Sequence, residues 1–134
     1  MKRETKISIL WIVIMCGFAF HIIADVLPIF WGENVAVSND GNTPTGLMTL
    51  MMAASYTIPV IGILLAICKS VRVTVATNLA LSLVLLAFNI FHSFELLDPD
   101  PVQVCILPLI LLVNIILSFE IWKLLKMGTI VPNQ

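Results

Sequence analysis

The chain has 134 residues, of which 60% are hydrophobic and only 11% charged, and its mean hydropathy is +1.07. That is too little polar surface to cover a soluble domain of this size, which places the protein in lipid. Seven basic and eight acidic residues give a formal net charge of −1, and the basic ones form no extended patch, so nucleic-acid binding is excluded.

Lys2, Arg3 and Lys6 precede an apolar run over residues 7–31, broken only by Gly17, His21, Asp25 and Pro28. A secretory signal core ends after ~7–15 residues at a small-residue cleavage site. This run continues well past that length with no such site, so a retained first span is expected. At about 1.5 Å per residue it crosses a ~30 Å hydrocarbon core with some tilt. Asp25 costs about 2.5–3.5 kcal/mol at mid-helix, which the many Ile, Leu, Val and Phe residues offset at about 0.3–0.6 kcal/mol each.

Residues 32–43 are polar, with Asn39-Asp40-Gly41-Asn42 as a turn cluster, and form the expected outer loop. Thr43-Pro44 suits an N-cap followed by proline at the first helical position, opening a second span over residues 44–68. Pro59 lies inside that span and predicts a kink that frees the carbonyl near Ser55. Residues 69–72, Lys-Ser-Val-Arg, are a cytoplasmic turn short enough to make spans two and three neighbours. Span three covers residues 73–97 and is ended by Asp98-Pro99-Asp100-Pro101; span four covers residues 101–125, with Pro108 near its outer end. Trp11, Trp31 and Trp122 are expected at membrane boundaries, where an indole ring suits a mixed environment.

All seven Lys and Arg residues (Lys2, Arg3, Lys6, Lys69, Arg72, Lys123, Lys126) fall at alternate span ends. Basic residues resist translocation, so the pattern predicts both termini in the cytoplasm of an inner-membrane protein. The expected fold is all-α: a single transmembrane domain over residues 1–134, built as an up-down-up-down four-helix bundle.

The chemistry is concentrated in spans one and three. His21 and Asp25 share a helix face at i, i+4, and His92 and Glu95 do so at i, i+3. Counted from the cytoplasmic ends, Asp25 and His92 fall at similar depth in the outer half, with His21 about one turn deeper. Asn78, Ser82, Asn89 and His92 keep to one stripe of span three, which should face the bundle or a wet cavity rather than lipid. Three readings compete. The side chains fix helix register; or they form a ligand or ion site with a proton-linked gate; or they hold a metal or run acid/base chemistry. For the last, His21, Asp25, His92 and Glu95 supply nitrogen and oxygen ligands, but these spacings do not separate a metal site from a salt bridge.

Other polar and sulfur residues have simpler expected roles. Glu120 is placed to pair with Lys123 at the cytoplasmic boundary, and Asn114 to hydrogen-bond between helices. Tyr56, beside Ser55, Thr57 and Pro59, either meets a carbonyl freed at the kink or lines the same cavity as the histidines. Cys16, Cys68 and Cys105 stand on three different spans with no C-x-x-C pairing, and read as small packing residues. Met48, Met51 and Met52 share a face and read as soft packing rather than a copper site.

The run KISILWIVIMCGFAFHIIADVLPIF, the segment YTIPVIGILL and the short basic turn resemble a group of uncharacterised small bacterial four-span membrane proteins, and the general shape is similar to the DoxX-like proteins. The resemblance implies a four-span fold in a bacterial inner membrane, and implies no catalytic residue. Small multidrug-resistance exporters are also similar in being short, four-span and acidic in span one. Asp25 lies in the outer half, however, and the strong Lys/Arg bias differs from their dual-topology members. The expectation is a polar pocket of His21, Asp25, Asn89 and His92, with Glu95 and Tyr56, that binds a small or lipid-like ligand or a partner subunit, with no cofactor. The alternatives are a proton-coupled small-molecule transporter working as a homo-oligomer, and an intramembrane acid/base or metal-dependent enzyme.

Overall fold

The computed structural model of the chain describes residues 1–34, 44–68, 71–94 and 103–128. Helix α1 (Arg3–Val26) runs into a 3-10 turn (Leu27–Trp31); α2 (Thr45–Met52), a π turn (Ala53–Thr57) and α3 (Ile58–Ile67) form one continuous second helix; α4 (Arg72–His92) and α5 (Gln103–Gly128) follow. The four helical stretches, Arg3–Trp31, Thr45–Ile67, Arg72–His92 and Val104–Met127, are 29, 23, 21 and 24 residues long. Each is long and apolar enough to cross a bilayer, which takes about 20 residues. In lipid a helix satisfies its own backbone groups, so long Leu, Ile and Val runs resolve as helix despite the modest helix propensity of β-branched residues.

The irregular stretches have local causes. Pro28 has no N–H to return to Ala24, and the chain tightens into the 3-10 turn there. Gly32 closes that turn at φ 81, with its N–H bonded to the Ile29 carbonyl at 3.0 Å and the Glu33 N–H to the Pro28 carbonyl at 3.2 Å. A left-handed residue at this position favours glycine, which carries no Cβ to clash. In the second helix, Pro59 deprives the Ser55 carbonyl of its α-helical partner. The chain responds by widening over Ala53–Thr57, where the Ile58 N–H reaches back five residues to the Ala53 carbonyl, while Ser55 Oγ donates to the Met51 carbonyl at 2.7 Å. The distortion predicted at the proline is thus a π turn one step before it.

Helix α1 packs against α3 and α5, and α4 packs against the same two. α1 and α4 therefore sit at opposite corners and meet through side chains that cross the middle of the bundle. The core is formed by Ile7, Trp11, Ile14 and Phe18 of α1, Val75 and Leu85 of α4, Ile110, Leu117 and Ile121 of α5, and the small Ala54 and Ala66 of the second helix. Gly62 lets α3 approach α1: a Cβ there would fall on the Trp11 ring. Helix α2 is different, because none of its residues is buried and its substantial packing is against the π turn that follows it.

Several sequence expectations change at this level. Trp11 is fully buried in the core rather than at a boundary, whereas Trp31 and Trp122 are exposed. The indole of Trp11 is drawn inward by a hydrogen bond to Asn78 and by the space over Gly62. Cys16, Cys68 and Cys105 are free thiols on the surface rather than packing residues. Met48, Met51 and Met52 are exposed because α2, which carries them, leaves the core.

Candidate functional site

Helical periodicity brings Asn78, Ser82 and Asn89 of α4 to the inner face, where all three are buried. His21 of α1 is buried as well, at 5% exposure. α1 and α4 stand diagonally, so the inward stripe of each can reach the other along the bundle axis. At the end remote from the chain's first residues this produces a direct contact, with His21 Nε2 lying 2.7 Å from His92 Nε2. The two rings meet edge to face at 87°, with centroids 4.6 Å apart. Phe88, one turn before His92, stacks on its ring at 5.6 Å, and Phe18 packs against Phe88 at 6.2 Å. Aromatic rings thus hold the imidazole pair from below.

Two nitrogens at this separation share one proton. One imidazole donates from Nε2 and the other accepts there, which assigns opposite tautomers to the two rings. The bond requires one Nε2 without a proton; with both rings as imidazolium two N–H groups would stand head to head. Asp25, one turn beyond His21, places Oδ2 3.7 Å from His21 Nε2 and is half exposed at the end of the helix.

Asn89 completes the group. It is only 3% exposed, and its Nδ2 has no hydrogen-bond partner among the described residues; its backbone carbonyl accepts from Ser93 Oγ at 2.7 Å. Buried amide donors are nearly always paired, because an unmet donor costs about 1–3 kcal/mol.

The structure thus gathers His21, Asp25, Asn89 and His92 at one end of α1 and α4. The expected pairing of His21 with Asp25 on its own helix is joined by a contact between the two histidines. Matched depth on two inward stripes was the signal for it, and the count from the helix ends had set His92 level with Asp25 instead. Tyr56 stands apart, on the π turn and 56% exposed. Glu95 lies outside the described residues. Among the described residues no group of three or more His, Cys, Asp or Glu side chains is placed to hold a metal ion. Nitrogens sharing a tetrahedral zinc at about 2.0–2.1 Å each would stand roughly 3.3 Å apart, so the observed geometry is that of a hydrogen bond.

Most polar groups of the other half are committed to one another. Asn78 accepts from Trp11 Nε1 at 2.9 Å and donates through Nδ2 to the Gly62 carbonyl at 3.1 Å, joining α1, α3 and α4. Ser82 and Ser118 hydroxyls meet at 2.7 Å, Ser82 also reaches Asn114 Oδ1 at 3.4 Å, and Ser118 donates to the Asn114 carbonyl at 3.0 Å. Only the Asn114 Nδ2 is unspent in that group. Glu120 gathers three cations rather than one: Lys6 at 3.0 Å, Arg3 at 3.4 Å and Lys123 at 3.5 Å. Two of these come from α1, a cross-helix pairing that spacing along span four alone does not reveal. Between the two polar regions lies an apolar layer that includes Ile14, Phe18, Leu85 and Ile110, none more than 4% exposed.

A scan of the chain against protein-family models, curated proteins and solved structures returns no match. Function is therefore read from the residues themselves.

Proposed function

We propose that the protein is a multi-pass inner-membrane protein of up-down-up-down topology with both termini cytoplasmic, whose outer half holds a His/carboxylate pocket for a small or lipid-like ligand. The alternation of Lys and Arg along the chain supports the orientation. The observation that carries the pocket is the buried, unmatched Nδ2 of Asn89 on the same inward face as the His21–His92 pair. An intramembrane polar group of this kind is functional by default. A ligand with a carbonyl, hydroxyl or phosphoryl oxygen satisfies the Asn89 donor and competes for the shared imidazole proton. The loosely packed α2 offers such a ligand an approach from the bilayer.

Native mass spectrometry of the protein released from its own membranes tests this. The wild type retains a bound small molecule that Asn89→Leu and His21→Phe lose while remaining folded; identical adduct spectra in all three contradict the pocket.

A proton-coupled transporter acting as a homo-oligomer is the second reading, and the shared proton of the imidazole pair favours it. Against it stand the saturated hydrogen bonds of Asn78 and the serine pair, and the apolar layer above them, which leave a single subunit little to carry water toward the cytoplasm.

A further inference from the structure

A second site lies outside the bundle axis, on the flank of α4 beside the stripe that reaches α1. Leu79, Leu83 and Leu86 of α4 form one wall of a cleft of about 300 Å3, and Ile115, Phe119 and Trp122 of α5 form the other, with Ser118 at its floor. Volumes of this size accommodate small ligands or a segment of an acyl chain. Leu83, Phe119 and Trp122 remain 50%, 55% and 43% exposed, so the cleft is open along its length to the surroundings of the bundle.

Both walls run toward the basic end, and both end in a cation. On α4 the ridge Leu79, Leu83, Leu86 follows i, i+4, i+7 spacing, and Arg72, two turns before Leu79, belongs to the same ridge. On α5 the ridge Ile115, Phe119, Trp122 continues to Lys126, whose Nζ lies 3.9 Å above the Trp122 ring. By helix spacing an acyl-sized apolar cleft therefore leads toward Arg72 on one ridge and Lys126 on the other, with the Trp122 indole between the apolar and polar zones. Indole rings and snorkelling lysines favour that zone in membranes.

We propose that this cleft between α4 and α5 is a binding site for an anionic phospholipid, with one acyl chain between the two ridges and the phosphate-bearing headgroup held by Arg72 and Lys126. Basic residues at a cytoplasmic boundary attract anionic headgroups in this way. A zwitterionic lipid fits the cleft equally well but gains less from the two cations, so the site discriminates by headgroup charge. The site is independent of the histidine pair and stands or falls separately from it.

Tryptophan fluorescence of the full chain reconstituted into phosphatidylcholine vesicles provides the test, with the Trp122 contribution isolated by difference from Trp122→Phe. Phosphatidylglycerol brominated on its acyl chain is expected to quench that contribution several-fold more effectively than the same mole fraction of brominated phosphatidylcholine. In the Arg72→Gln/Lys126→Gln variant, both positions being exposed, the preference falls to parity. Lys2→Gln removes a cation from a different cleft, lined by Ala66 and Cys68, and leaves the preference intact. Equal quenching by the two lipids in the wild type overturns the proposal. So does a preference that survives the double substitution, or one that Lys2→Gln reduces as much.

Discussion

In the half of the bundle that carries the chain's first residues, Asn78 uses both ends of its amide, on Trp11 and on Gly62, and Glu120 is shared among three cations. In the other half His21 and His92 hold one proton between them, Asn89 keeps a buried donor without a partner among the described residues, and α2 stands away from the core. The same residue type, a buried asparagine on the inner face of α4, is thus a structural pin at position 78 and an unsatisfied group at position 89. Buried polarity that is fully paired serves packing; buried polarity that is left unpaired carries a cost and needs a different reason to exist.

The sharpest way to break the packed half is Gly62→Ala. A Cβ at this position falls on the buried Trp11 ring, and overpacking of this kind costs about 1–3 kcal/mol. Reversible unfolding in bicelles should show the loss, and a wild-type midpoint would contradict the close approach of α3 to α1. Asn78→Leu follows at a similar scale, about 1–3 kcal/mol, because it strands the buried Trp11 N–H and removes the tie to the Gly62 carbonyl. Trp11→Phe in the same background should then cost less than it does alone, and strict additivity of the two would deny their coupling.

Glu120→Gln is expected to cost no more than about 1 kcal/mol, since its cations are 32–53% exposed and screened. Raising the salt concentration should narrow the gap between variant and wild type; a gap insensitive to salt would mean the carboxylate acts through something other than these charges. His92→Phe should cost about 0.6 kcal/mol, the usual worth of an interhelical polar contact in a membrane.

Much of the fold could be read from the chain. Four long apolar runs give four helices, Pro59 announces a backbone irregularity, and the spacing of Asn78, Ser82 and Asn89 gives the inward face of α4, because lipid forces regular helices and penalises outward polarity. The packing partners were harder to read. Trp11 looked like a boundary residue because indole suits an interface, and only the absence of a side chain at Gly62 and the reach of Asn78 turn it inward. The His21–His92 contact depends on two non-adjacent helices meeting across the axis, which pairwise spacing within each helix does not encode. The exposure of Met48, Met51 and Met52 was equally hidden, since it follows from how α2 leaves the bundle and not from the composition of α2.

The most direct test of the contrast between the two asparagines is the unfolding free energy of Asn89→Leu, measured in the same bicelles as Asn78→Leu. Replacing an unpaired buried amide by an apolar side chain of similar volume removes a cost and no bond, so stability should equal or exceed that of the wild type. A loss on the scale of Asn78→Leu, about 1–3 kcal/mol, would show that Asn89 is a structural pin like its counterpart and would contradict a ligand site in this half of the bundle.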